Sequence, residues 1–249
     1  PAPAARPARR RGHGGARVID FHPAGNADAW RWGAAVAVTS ALRRRLAEAP
    51  RARLLVSGGS TPAPVFEALA QAPLDWDRVA IGLVDERWLP PGDPDTNAVR
   101  VRAHLLRDRA AAASFEAPRL PGESLDEAVA RANACAAEPP AVILLGMGED
   151  GHTASLFPGM PGLAAALASA AAHVAVDATG CAGAGPWPTR MSLTPAGMAV
   201  APVRVLLLRG EDKRIVFEQA RAGTDPREMP VRAAFGLPGE PLHVHWTAD

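Results

Sequence analysis

The sequence predicts an α/β domain built on a mostly parallel sheet with helices on both faces. Two observations predict it. The strand-like segments are continuous apolar runs, "RARLLVSGG" (51–59), "AVILLGMG" (141–148) and "VRVLLLRG" (203–210), as a strand buried on both faces requires. Segments of helical periodicity lie between these runs, the pattern of a layered α/β architecture. The chain has 249 residues, 48% of them hydrophobic, enough for one large domain with a sizeable core.

In order, "PAPAARPARRRGHGG" (1–15) is basic and proline-rich but lacks the apolar stretch of a signal peptide, so it reads as a disordered tail ahead of a single domain over 16–249. "ARVIDFH" (16–22) is a first strand. The segment 26–49 is a helix with Asn26 as its cap. The run 51–59 is a buried strand ending in glycines, and 60–72 a helix with Ser60 or Thr61 as cap and Pro62 in its first turn. "RVAIGLVDE" (78–86) is a strand, and 95–106 and 124–138 are helices. Strands follow at 141–148, 172–178, 190–194 and 203–210, then a helix at 211–223 and a last strand at 241–246. No internal repeat or coiled-coil heptad appears.

Composition excludes several classes. The net charge is +1 with no basic stripe, which argues against nucleic acid as a partner. No apolar run is long enough to span a membrane. Cys135 and Cys181 stand far apart without metal-type spacing, which fits a reducing cytoplasm and inert thiols. No other ligand cluster has zinc-like spacing, which argues against a metal site. Of 27 basic residues only Lys213 is a lysine, in a chain that otherwise carries positive charge on arginine.

In such a sheet, ligands bind at the carboxyl ends of the strands. "SGGSTP" (57–62) brings Gly58 and Gly59 to a strand-to-helix turn with the hydroxyls of Ser57, Ser60 and Thr61. The local sequence fits either a phosphate cradle or an ordinary capped turn, and the Gly-Lys-Ser/Thr ending of a Walker loop is missing. "VDERW" ends a strand with Asp85, Glu86 and Arg87, three charges that must be paired, solvated or functional. "GMGEDG" (146–151) satisfies the G-x-G-x-x-G dinucleotide pattern, with Asp177 closing the next strand. Against that reading, Glu149 and Asp150 put negative charge where a pyrophosphate would sit, and "FPGMPG" cuts short the helix that should follow. The alternative is catalytic: His152 as a general base with Asp150 orienting its ring.

Taken together, "SGGSTP", "DERW…DTNAV", "GMGEDGHTASLFPG", "RMSLTPAGM" and "GEDKR" resemble the 6-phosphogluconolactonase family in order and spacing over most of the chain. The resemblance implies a three-layer α/β/α, Rossmann-like fold of the glucosamine-6-phosphate deaminase type. It implies hydrolysis of 6-phospho-D-glucono-1,5-lactone in the oxidative pentose phosphate pathway, without cofactor or metal, by a cytoplasmic monomer or weak homo-oligomer.

Carried over by position, Gly58, Gly59, Ser60 and Thr61 would hold the phosphate with Lys213 and Arg190, and Ser57 belongs to the same loop. His152 would activate water and Asp150 would set its tautomer. Arg87 would face the lactone carbonyl or the phosphate, and Asp85 and Asn97 would contact sugar hydroxyls. Deaminases of the same fold resemble I-A-F-N-E-P after the histidine, where this chain has Phe157 in "HTASLFP". That departure favours a lactonase over a deaminase-like isomerase. A non-catalytic sugar-phosphate binder is the remaining alternative, although it need not keep Asp150 and His152. Two departures from the family pattern, the tail and the "ATGCAGAGPW" segment (178–187), lie outside the motifs.

Overall fold

The computed structural model describes residues 19–249. The expected tail over 1–15 lies outside the described residues, as does the start of the first expected strand. The elements are β1 (Ile19–Pro23), α1 (Ala27–Glu48), β2 (Ala52–Val56), α2 (Ala63–Ala70), β3 (Val79–Leu83), β4 (Asp85–Arg87), α3 (Asn97–His104), β5 (Ser114–Phe115) and α4 (Leu125–Cys135). They continue with β6 (Val142–Gly146), α5 (Leu163–Ala168), β7 (His173–Asp177), β8 (Thr189–Leu193), α6 (Pro195–Ala199), β9 (Val203–Arg209), α7 (Glu211–Ala222) and β10 (Leu242–Thr247).

Seven strands form a parallel sheet in the order β1-β10-β9-β6-β2-β3-β5. The continuous apolar runs serve two cores by simple alternation. Leu54, Val56, Val142, Leu144, Val205 and Leu207 point to the side of α1 and α2, among Trp30, Val38, Phe66 and Leu69. Leu55, Ile143, Leu145, Leu206 and Leu208 point to the other, against Met198, Phe217 and Val231. Both faces of the central strands are covered, and the two arginines buried within them, Arg53 of β2 and Arg204 of β9, are hydrogen-bonded to Glu116 and to the Ala201 carbonyl, so the predicted fold class holds.

The second sheet is a departure. β4, β8 and β7 form a separate three-stranded antiparallel sheet, and the single strand expected over 78–86 is two strands that belong to different sheets. Val84 is the pivot. It is fully buried, its N–H donates to Val56 in the parallel sheet, and its carbonyl accepts from Leu193 of β8. The small sheet therefore stands at the carboxyl edge of the large one and walls off the cleft described below.

Helix ends follow local chemistry. The Asn26 carboxamide accepts from Ala29 N at 2.8 Å, as expected of a cap. Ser124 and Glu127 form a reciprocal capping box on α4. The expected Ser60 or Thr61 cap on α2 does not form. The helix starts at Ala63 after Pro62, with no side-chain cap, because residues 57–61 are drawn across the end of the sheet instead of turning into the helix. No helix among the described residues is long and apolar enough to cross a membrane.

Candidate active site

A cleft of about 300 Å³ opens at the carboxyl ends of β2, β6 and β9. Ser57, Gly58, Gly59, Ser60, Thr61, Asp85, Arg87, Asn97, His152, Arg190 and Lys213 all line it. These segments are far apart in sequence, and the sheet order makes them neighbours.

The first wall is the glycine turn after β2. Gly59 has φ +96°, a conformation that favours glycine. A Cβ on Gly58 would fall 2.0 Å from Asn97 Oδ1, so the absent side chain is what admits Asn97. Among the described residues, the backbone N–H groups of Gly58, Gly59, Ser60 and Thr61 donate to no protein acceptor, and neither do the hydroxyls of Ser60 and Thr61. Four uncommitted amides at a helix start form a concavity suited to an anion. Ser57 has a different task. It is buried, and its Oγ accepts from Gly146 N at 3.3 Å, tying the turn to β6.

The opposite wall carries the Asp150–His152 pair. Asp150 Oδ1 lies 2.6 Å from His152 Nδ1 and accepts from His152 N at 3.0 Å. Nδ1 is thereby committed, and among the described residues no hydrogen bond is made to Nε2. Burial pushes the Asp150 carboxyl upward, but its hydrogen bond to His152 and the charge there outweigh this and hold it below the ordinary aspartate value. Two glycines make room for the pair. A Cβ on Gly148 would lie 2.1 Å from His152 Nδ1, and one on Gly183 would lie 2.6 Å from Asp150 Oδ2. Gly183 belongs to the 178–187 segment, which was expected to touch no motif and in fact packs against Asp150 and His152 of the "GMGEDGHTASLFPG" motif. The turn that matches G-x-G-x-x-G is filled by this imidazole, and no helix starts until Leu163.

Beneath the pair lies Phe157, fully buried in a cluster with Leu156, Met160, Leu163 and Val176. Its ring centroid is 4.4 Å from that of His152 and 5.2 Å from the Arg190 guanidinium carbon. The imidazole thus rests on an apolar floor, in the position where the deaminase pattern has glutamate.

A buried polar chain forms the base. Asn97 Nδ2 donates to the Asp85 carbonyl at 2.8 Å, and Ser155 Oγ donates to Asp85 Oδ2 at 2.6 Å. Arg190 Nη1 donates to Ser155 Oγ at 3.4 Å. Arg190 also donates to the carbonyls of Trp187 and Ala184, and is only 4% exposed. Burial lowers its pKa, opposed by the nearby Asp85 carboxylate. Arg190 therefore lines the cleft mainly as a tie that fixes the 178–187 segment and the floor, with most of its donors spent inside the protein. Arg87, directly across the β4–β8 ladder from Arg190, has one Nη on the Asp95 carbonyl and its buried Nε without an acceptor. Asn97 Oδ1 is likewise buried without a partner. Lys213, in the first turn of α7, has Nζ 4.0 Å from Glu149. Burial lowers its pKa against the pull of Glu149 and Asp150.

Glu86, noticed in the sequence only as one of three clustered charges, is a supporting residue. Its buried carboxylate accepts from Arg87 N, Asn97 N and Ala98 N at 2.7–2.8 Å, so it clamps the start of α3 and thereby Asn97. Desolvation raises its pKa to about 7, despite these three N–H bonds. Ser155 and Gly183 had no assigned role either. Ser155 lies within the "GHTASLFP" block, but only the fold brings Asp85 to it.

Comparisons with known proteins agree with this picture. Residues 26–246 match the family model described as glucosamine-6-phosphate isomerases/6-phosphogluconolactonase. The chain is 50% identical over 209 residues to a 6-phosphogluconolactonase of Xylella fastidiosa, covering 83% of this chain and 87% of that one. It is 42% identical over 223 residues to one of Pseudomonas aeruginosa, covering 86% and 89%. Its backbone is similar to the crystal structure of a 6-phosphogluconolactonase from Shewanella baltica, with TM-score 0.83 and 32% identity, covering 92% of this chain and 98% of that one.

Proposed function

Because the chain belongs to the glucosamine-6-phosphate isomerase/6-phosphogluconolactonase family, we infer that its cleft hydrolyses 6-phospho-D-glucono-1,5-lactone to 6-phospho-D-gluconate, the lactonase step of the oxidative pentose phosphate pathway. The observation that carries this reading is His152: Nδ1 committed to Asp150, Nε2 uncommitted, in a cleft whose far wall is four unsatisfied amides.

In the proposed reaction, His152 Nε2 takes a proton from water as the water oxygen attacks C1 of the lactone. The oxyanion collapses, the bond from C1 to the ring oxygen breaks, and the ring oxygen takes the proton back from the imidazolium. Asp150 holds the ring in the tautomer this requires and stabilises its cation. The Gly58–Thr61 amides and hydroxyls receive the phosphate, with Lys213 supplying charge. Arg190 contributes field from behind the floor, and Arg87, which lines the cleft, turns its guanidinium charge toward the lactone carbonyl or the phosphate. Asn97 lines the cleft as a contact for the sugar, and Asp85 holds Asn97 in place. The residues in the cleft supply a base and charge, which suffice for an ester already carrying its electrophile.

A deaminase-like isomerase reading finds Phe157, buried and packed on His152, where it would need a carboxylate. Purified protein should accelerate hydrolysis of the phosphorylated lactone over the spontaneous rate, and His152→Ala should remove about 10²–10⁴-fold of that acceleration. A mutant within a factor of two of wild type would refute the assignment of His152.

A further inference from the structure

Away from the cleft, the first and last strands bring together a second group of ligating side chains. β1 and β10 are parallel neighbours with Asp20 opposite His243 and His22 opposite His245. Alternation puts all four on one face. Asp20 Oδ2 is 3.2 Å from His22 Nε2 and 3.4 Å from His243 Nδ1, and those two nitrogens are 3.3 Å apart. None of these residues lines the cleft.

Three such atoms form a nearly equilateral triangle. A tetrahedral metal with N/O bonds of about 2.0–2.1 Å separates its ligands by about 3.3–3.4 Å, so the triangle has the dimensions of one face of that tetrahedron. The outer contacts match as well. His243 turns its other ring nitrogen, Nε2, toward Glu240 Oε2 at 3.3 Å, and Arg44 Nη2 donates to the second Glu240 oxygen at 2.9 Å. A carboxylate on the far nitrogen of a ligating histidine fixes its tautomer and raises its basicity. His245 stacks on His22 with ring centroids 4.6 Å apart. Its Nε2 is buried without a partner, beside an open recess of about 590 Å³ that gives solvent access to the group.

We propose that Asp20, His22 and His243 form a binding site for a single zinc-like divalent transition-metal ion, with Glu240 as the carboxylate behind His243. Two imidazoles and one carboxylate suit Zn²⁺ and Co²⁺ better than Mg²⁺ or Ca²⁺, which favour all-oxygen sites. The fourth position faces the recess and takes water. Such an ion would clasp the first described strand to the last and would be separate from lactone hydrolysis.

The test uses the full chain without a histidine tag, stripped with a chelator and titrated calorimetrically with Zn²⁺, and with Co²⁺ followed by visible absorption. One equivalent should bind to this site, with a tetrahedral Co²⁺ spectrum and a rise in melting temperature with Zn²⁺. Asp20→Asn and His243→Ala should each abolish that event. Glu240→Gln should weaken it by about 10–100-fold. His104→Ala, which removes a surface imidazole elsewhere, and His152→Ala, in the cleft, should leave it unchanged. Lactone hydrolysis by Asp20→Asn should stay at the wild-type rate. Three results overturn the proposal: no binding by the wild-type chain, the same stoichiometry in the Asp20→Asn/His243→Ala double variant, or loss of the binding event in His152→Ala. The first two leave the lactonase reading untouched.

Discussion

Gly183→Ala changes one exposed loop atom and should cripple the enzyme. The new Cβ would stand 2.6 Å from Asp150 Oδ2 and 3.1 Å from His152 Nδ1. Restoring ordinary contact requires the carboxylate, or the loop, to retreat by about 0.8 Å, and a misplacement of about 1 Å at a reacting group costs roughly 10²-fold in rate. The loop resists retreat because Arg190 holds the carbonyls of Ala184 and Trp187. Asp150 therefore moves, and His152 moves with it. The alanine is not strained by its backbone, since Gly183 is not among the positive-φ glycines. Steady-state assays, corrected for spontaneous hydrolysis, should give a kcat about 10–100-fold lower, equivalent to about 1.4–2.7 kcal/mol of barrier. KM should stay near wild type because the anion-binding loop is on the opposite wall. The melting temperature should also hold, since exposed substitutions usually stay within about 0.5 kcal/mol. A kcat within a factor of two of wild type would show that the pair tolerates displacement, and would refute the claim that two absent side chains set its geometry.

Three further outcomes are expected. Lys213→Ala should raise KM for the phosphorylated lactone by about 10–100-fold, and Lys213→Arg should raise it less, because a planar guanidinium does not replace a compact ammonium; an unchanged KM in the alanine variant would return Lys213 to the solvated surface. Phe157→Glu should abolish lactone hydrolysis and lower the melting temperature by placing a carboxylate in a fully buried apolar cluster, with activity and melting both at wild-type levels as the contrary finding. Glu86 makes stability fall with rising pH. Its folded pKa of about 7 lies above the ordinary glutamate value of 4.5, so the folded chain holds the extra proton between those values and loses that advantage as pH climbs through them, by about 3 kcal/mol. Glu86→Gln does not titrate, so wild type should lose stability relative to the variant from pH 5 to 7.5 in denaturant titrations; a constant difference would dispose of the raised pKa.

What the sequence reveals here tracks how local the causes are. The runs of β2, β6 and β9 announce themselves because burial on both faces makes their central positions apolar, with Arg53 and Arg204 as buried exceptions near the strand starts. The cap at Asn26 and the box at Ser124 are likewise written within a few residues. The break at Val84 is not, because "RVAIGLVDE" is as apolar at the pivot as on either side, and only pairing with β8 reveals two strands. Most residues expected around the cleft do meet there, since several follow the ends of parallel strands, which the sheet gathers, and the small antiparallel sheet brings Asp85, Arg87 and Arg190 to the same edge. Gly183 escaped because an alanine- and glycine-rich loop carries no chemistry of its own and matters only for what it fails to fill. The triangle of Asp20, His22 and His243 escaped for a different reason: spacing rules look along the chain, and these ligands meet across its whole length.

β1 has a single neighbour in the sheet, and that neighbour is β10, the last strand of the described chain. During synthesis β1 must therefore leave the ribosome with no strand to pair with, and must wait until the chain through β10 has followed. The central strands can assemble in the meantime, because β2 and β3 are joined by a short helical crossover and pair with each other. The order of emergence thus differs from the order of assembly, and the first described strand is the last of them seated. A chain cut short before Leu242 loses both strands, since β1 would then present an unpaired edge with nothing to cover it. Hydrogen exchange should find that border opening before the centre of the sheet does.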